Sequence, residues 1–188
     1  MSNVRKLDDY FTYADYCTWP DDERWELIDG VAYAQAAQSE MHQTIAWELT
    51  RQLGAFLRGN PCKAFYAPFS VRLSADTADD TVVEPDILVV CDEKKLEGGK
   101  GVIGAPDLII EILSPSSARH DRVTKFKLYM RSGVREYWIV NPDEKTLMAN
   151  VLRDGRYMTL LYFEHDTEVP VEVLDGCVIN LAEVFENE

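Results

Sequence analysis

Two acidic side chains interrupt apolar runs. Glu111 sits in "DLIIEIL" among Ile109, Ile110, Ile112 and Leu113, and Asp86 follows Pro85 in "EPDILVV". An ionised carboxylate in such a run costs several kcal/mol unless it is paired, protonated or bound to a metal. Side chains alternate faces along a strand, so Asp86 shares a face with Leu88 and Val90, and Glu111 with Asp107, Ile109 and Leu113. If the two strands are neighbours, one face brings the carboxylates together. Adjacent carboxylates repel, and a hard divalent cation such as Mg²⁺ relieves that repulsion. The same ion polarises a phosphoryl oxygen and promotes attack by water, the chemistry of phosphodiester hydrolysis. The plainer alternatives are a turn role for Asp86 and an ordinary Lys or Arg partner for Glu111.

The elements around these acids are legible. "SEMHQTIAWELTRQLGAFLRG" carries apolar residues at 45, 49, 53, 56 and 57, a helical stripe ending near Gly59. "CKAFYAPFSVRL", "TVVEPDILVVCD" and "APDLIIEILSP" read as strands, a helix from about Ala118 to Arg131 ends at Gly133, and "EYWIVNP" is a fourth strand. The order helix, three strands, helix, strand defines an α/β core, a mixed sheet flanked by helices. Its central strands are apolar on both faces. Upstream, "RWELIDGVAYA" predicts a hairpin at Asp29-Gly30. Downstream, "LMANVLRDGRYMTLLYF" predicts another at Asp154-Gly155, followed by short strands and a last helical turn, the C-terminal antiparallel additions.

The 188 residues suit a single domain, 1–188. Cysteines 17, 62, 91 and 177 show no CxxC or metal-finger spacing and are expected as reduced thiols of a cytoplasmic protein. No apolar run approaches the ~20 residues of a membrane span, and the first residues lack the apolar core of a signal peptide. The formal charge of −14 argues against nonspecific nucleic-acid binding. A nucleic-acid contact must therefore be local. The basic segment 119–135, with Arg119, His120, Arg122, Lys125, Lys127, Arg131 and Arg135, is its candidate, and a solvated helix face is the alternative.

"RWELIDG", "MHQ", "EPDILVV", "PDLIIEILSPSS", "DRVTKFKLYMRSGVREYWIVNP" and "GRYM" occur in the order seen in the Uma-type family of putative restriction endonucleases, within the PD-(D/E)XK nuclease superfamily. The chain resembles that family from about Phe11 to Phe185, most specifically over 106–142. The resemblance implies a restriction endonuclease-like fold with a divalent-metal site, Mg²⁺ or Mn²⁺ in its place. Pro85-Asp86 stands at the "PD" position and Glu111 at the "(D/E)" position, both as metal ligands. The lysine expected two residues later is absent, since residue 113 is Leu. In the resembled family that lysine has moved to the following helix, where Lys125 matches. Periodicity alone does not choose between Lys125 and Lys127, which both flank the stripe of Val123, Phe126 and Met130.

Lys125 is thus expected to position or deprotonate the attacking water and to stabilise charge on the phosphate. On this reading Lys125→Ala leaves the fold nearly intact. Glu26 and His42 also fall on family positions. Glu26 is a further metal-site acid or the partner of Arg24, and His42 opens a helix where its neutral imidazole can accept a hydrogen bond or assist at the catalytic site, a surface or capping role being the alternative. Asp107 starts its strand, and "SPSS" at 114–117 turns the chain into the helix, its hydroxyls able to contact phosphate. The implied function is Mg²⁺-dependent DNA hydrolysis by a soluble endonuclease, for which a homodimer would set two basic segments side by side. Its rivals are a non-catalytic binding protein on the same fold and a nuclease acting on RNA or structured DNA.

Overall fold

The computed structural model describes residues 6–7, 9–20, 23–74, 78–96 and 101–186. Along the chain, β1 (Lys6–Leu7), α1 (Tyr13–Tyr16), β2 (Trp25–Ile28), β3 (Val31–Ala34) and α2 (Glu40–Phe56) precede β4 (Lys63–Tyr66), β5 (Ser70–Arg72), β6 (Val82–Val83) and β7 (Ile87–Val90). After β8 (Gly101–Ile103) and β9 (Leu108–Ile112), a π-helical turn His120–Lys125 runs into α3 (Phe126–Ser132). Next come β10 (Glu136–Asn141), β11 (Thr146–Arg153), β12 (Arg156–Phe163), β13 (Val169–Pro170), β14 (Val178–Ile179) and α4 (Leu181–Glu186).

The central sheet has the order β12-β11-β10-β9-β7-β4, and only β9 and β10 in it run parallel. A second sheet, β1-β3-β2-β6-β5-β8, packs on part of one face. The segments expected as single strands over 62–73 and 81–92 are each divided between the two sheets. β4 and β7 lie in the central sheet, β5 and β6 in the second. Pro68 and Pro85 fall at the crossings and remove an N–H that a continuous ladder needs.

One face of the central sheet is covered by helices, with Ile45, Leu49 and Leu53 of α2 against Ile87, Val89, Leu108 and Ile110. The other face is covered by Ile28, Val71, Val83 and Val102 of the second sheet and by Leu128 and Tyr129 of α3, against Leu88, Val90, Ile109 and Ile139. The interior strands are therefore buried on both sides, which is why they read as apolar runs. Both expected hairpins form, their turns using positive φ at Asp29-Gly30 and Asp154-Gly155.

The cysteine expectation is corrected. Cys62 and Cys91 form a disulfide, their Cα atoms 4.0 Å apart, while Cys17 and Cys177 are free. Pairing of Lys63 with Val90 brings the two flanking cysteines opposite each other at the end of the β4–β7 ladder, a proximity that spacing in sequence does not signal. Among the described residues no helix is long and apolar enough to cross a membrane.

Candidate active site

β7 and β9 are antiparallel neighbours with Ile87 opposite Ile110, so the register carried one step further sets Asp86 opposite Glu111. The two acids line one cavity of about 230 Å³, together with Glu26, His42, Asp121 and Lys125. Asp86 enters from the crossing after Pro85 and is held on both oxygens. Its Oδ1 accepts from Gln38 Nε2 (2.7 Å), and its Oδ2 from the Ile112 amide (2.8 Å) and His42 Nε2 (3.0 Å). A carboxylate can only accept, so the imidazole donates here through Nε2, where sequence reasoning expected it to accept. Its other nitrogen, Nδ1, is buried with no partner among the described residues. Ser39 caps α2 by accepting from the His42 amide, which fixes the ring at the cavity.

The lysine arrives from the π-helical turn. A π turn closes over five residues, so His120 and Lys125 come to one side together with Asp121, and all three are buried. Lys125 is 4% exposed, with its Nζ 2.8 Å from Glu26 Oε1, 3.0 Å from Glu111 Oε1 and 3.5 Å from Asp121 Oδ1. Lys127 is exposed. Tyr129, one turn on, donates to Glu111 Oε1 at 2.8 Å. Glu26 reaches the site from β2 and also accepts from the Glu84 amide at 3.1 Å. Arg24, the partner considered for Glu26, pairs instead with Glu84 at 3.1 Å.

The electrostatics follow from one ammonium facing several acids. Burial raises the Glu111 pKa well above the usual carboxylate range; Lys125 counteracts this, while Asp121, Asp86 and Glu26 add to it. Burial raises Asp121 as well, against the pull of Lys125 and a hydrogen bond from Ser117. Burial by itself disfavours the charged Lys125, but Glu111, Glu26 and Asp121 outweigh it and hold the ammonium well above its usual range. The directions for Glu111 and Lys125 are compatible because acids outnumber the cation. Lys125 stays charged, and the surplus negative potential falls on Glu111. His120 contributes no compensating charge, since burial and Lys125 push it down to about 4.

That surplus bears on a metal. The donors are carboxylate oxygens, and their excess over cationic groups suits a hard divalent ion in type and charge. Asp86 and Glu111, facing each other across two paired strands, are the residues that would hold it. Among the described residues no three His, Cys, Asp or Glu side chains converge as a ligating group, and the cation in contact with Glu111 is the Lys125 ammonium. This burial changes one expectation. Removing the Lys125 amine strands buried carboxylates, so Lys125→Ala is not neutral for the fold.

Sequence reasoning missed Asp121, Tyr129 and Gln38, and placed His120 on the basic face where the structure turns it into the cavity. Asp121, Lys125 and Tyr129 recur every four residues, a polar row on an otherwise amphipathic helix that could have been read; nothing in sequence marks Gln38. Asp107 directly precedes β9, away from the cavity, accepting from the Cys91 amide (2.8 Å) and from Arg135 (2.9 Å). The Ser114, Ser116 and Ser117 hydroxyls bond to one another on the way into the helix, all three at the cavity wall.

The basic segment 119–135 does not form a free basic face. His120 and Lys125 turn inward, Arg122 lies 3.9 Å from Glu144, and Arg131 and Arg135 pair with Asp29 and Asp107. Arg119 and Lys127 are exposed.

Among known proteins, the uncharacterized protein slr1290 of Synechocystis is 28% identical over 156 residues, 81% of this chain and 80% of that protein. A second Synechocystis protein, the uncharacterized sll1609, is 25% identical over 121 residues, 63% of this chain and 67% of its own length. The crystal structure of a putative nuclease belonging to DUF820 from Anabaena variabilis matches with a TM-score of 0.76 at 21% identity, over 94% of this chain and 98% of that one, which shows a shared fold. A family model described as "Uma2: Putative restriction endonuclease" matches residues 12–182, and the chain belongs to that family.

Proposed function

We propose that the protein is a divalent-metal-dependent endonuclease that hydrolyses phosphodiester bonds in DNA. The observation that carries this reading is the convergence of Asp86, Glu111 and Lys125 on one cavity. Mg²⁺, or Mn²⁺ in its place, held by Asp86 and Glu111 would supply Lewis acidity at a phosphoryl oxygen and a more acidic water.

The chain's own residues have distinct tasks. Gln38, His42 and the Ile112 amide fix both oxygens of Asp86, and Tyr129 fixes Glu111. Lys125, kept charged by its acids, stabilises negative charge on the phosphate and orients water; that charge makes it a stabiliser rather than a base. Ser114, Ser116 and Ser117 offer hydroxyls to a flanking phosphate. Arg122 and Arg131 can exchange their surface carboxylates for DNA phosphates, because exposed ion pairs are worth at most about 1 kcal/mol. Binding is then weak and salt-sensitive.

The net charge of −14, with much of the basic segment paired internally, favours a second reading: a binding protein that keeps the fold. Cleavage of supercoiled plasmid at low salt with Mn²⁺ separates the two, with wild type compared with Asp86→Asn and structured RNA run in parallel. Nicking by wild type alone supports the nuclease. Identical background from both proteins on both substrates supports the binding protein, and cleavage of RNA alone reassigns the substrate.

A further inference from the structure

The central sheet ends in two different edges. β4 is four residues long, carries Lys63 in an ion pair with Glu93, and is bordered by the disulfide to Cys91. β12 is eight residues long and contains no Pro, Lys, Asp or Glu; Arg156 is its one charged residue. Met158 and Leu160 on one face are 62% and 48% exposed, and Leu161 and Phe163 on the other are 52% and 45% exposed. Proteins ordinarily blunt such an edge with charge, proline or a bulge, because its unpaired backbone accepts another strand.

The backbone of β12 is set up for one particular pairing. The two-residue turn makes Arg153 and Arg156 a hydrogen-bonded pair, so 156, 158, 160 and 162 bond to β11 while 157, 159, 161 and 163 turn N–H and C=O outward. Asp166 takes both groups of Phe163, its side chain accepting the N–H at 2.7 Å and its amide donating to the C=O at 2.9 Å. Among the described residues, the outward groups of Tyr157, Thr159 and Leu161 remain unpaired, spaced evenly about Thr159.

We infer that β12 is the contact between two copies of this chain, joined antiparallel about a two-fold axis through Thr159. In that register Thr159 faces Thr159 of the second copy, and Tyr157 faces its Leu161. All outward groups of the three residues are then paired at once. Met158 falls opposite Leu160 of the second copy, an apolar cross-strand pair on the other face. The occupant is a second copy because the free groups are symmetric about one residue. Two chains of charge −14 also approach at least electrostatic cost along a strand with no acid in it. The short, charged β4 disfavours head-to-tail addition, so the assembly closes at a dimer. The axis is normal to the sheet and keeps the Asp86–Glu111 faces of both copies on the same side. This contact does not depend on the nuclease reading.

The patch is on the order of a few hundred Å² per copy, so the dimer should be modest and visible in sedimentation velocity at roughly 10–100 µM. Wild type should sediment as a dimer, and Met158→Lys/Leu160→Lys as a folded monomer, since both side chains already face solvent. Trp47→Lys, at a residue 70% exposed on α2, should leave the dimer intact. In a Cys17→Ser background, Thr159→Cys should form a covalent dimer under mild oxidation, because hydrogen-bonded antiparallel pairs hold Cα atoms about 5.5 Å apart. A monomeric wild type overturns the inference. So does a dimer that survives the two lysines, dissociates on Trp47→Lys, or gives no cross-link at 159.

Discussion

Glu111 in β9 and Glu136 in β10 are buried glutamates on adjacent parallel strands, 4% and 0% exposed, and burial raises the pKa of both. Their partners differ. Glu136 accepts from the Trp138 indole at 2.6 Å and the Val173 amide at 2.9 Å, neutral donors of which the second ties the C-terminal segment to the sheet. Glu111 meets an ammonium and a phenol, shares the ammonium with Glu26 and Asp121, and lines a cavity beside Asp86. A buried acid by itself therefore marks no site. What separates the two is the convergence of like charges on space that a ligand can enter.

The largest effect should come from the cation at the centre of one cluster. Lys125→Ala should lower the unfolding free energy by about 3–5 kcal/mol, the usual cost of stranding a buried charge, and abolish cleavage. A urea midpoint close to wild type would show that the acids do not depend on the amine.

Next, the two glutamates should part in activity. Glu111→Gln should reduce plasmid cleavage by about 10²–10³-fold with the fold retained, as expected for a group acting at the reacting phosphate. Glu136→Gln should leave cleavage within about twofold and instead cost roughly 1–3 kcal/mol of stability by weakening its two hydrogen bonds. Equal activity losses would erase the distinction between them.

The sequence carried this distinction only in part. Glu111 interrupts the apolar strand β9 while Glu136 stands at the first position of β10, so patterning marks Glu111 but tells nothing of either partner set. Glu111 stood out because "PDLIIEILSPSS" and the lysine-bearing helix after it resemble a nuclease family, whereas Glu136 sits in "REYWIVNP" with no such role. The α2 stripe, both hairpins and the apolar runs of the central strands were legible from periodicity and turn residues. The division of strands between two sheets at Pro68 and Pro85 was not, nor was the Cys62–Cys91 pair, because both depend on which strands become neighbours. The caging of Lys125 by Glu26 and Glu111 was hidden for the same reason: three distant segments meet only in the folded chain.

A smaller effect concerns pH. The raised Glu136 keeps its proton in the native state after the unfolded chain has released it near the ordinary value of 4.5. The wild type should thus lose the Glu136 contribution as pH rises from there towards the native value. Glu136→Gln cannot titrate, so its stability deficit relative to wild type should narrow between about pH 4.5 and 7. Urea denaturation across that range checks the sign, and a deficit that widens would mean the carboxylate is ionised where it is buried. The smallest change is Tyr129→Phe, which removes one bond to Glu111 and should cost about 1 kcal/mol, with cleavage reduced but present.

The site itself is tested most directly by anomalous diffraction from crystals soaked in Mn²⁺. One peak should appear between Asp86 and Glu111, bonded to both, and Asp86→Asn crystals should lack it. A Mn²⁺ peak elsewhere, or no peak while Lys125 remains on Glu111, would contradict a metal-dependent site at these two carboxylates.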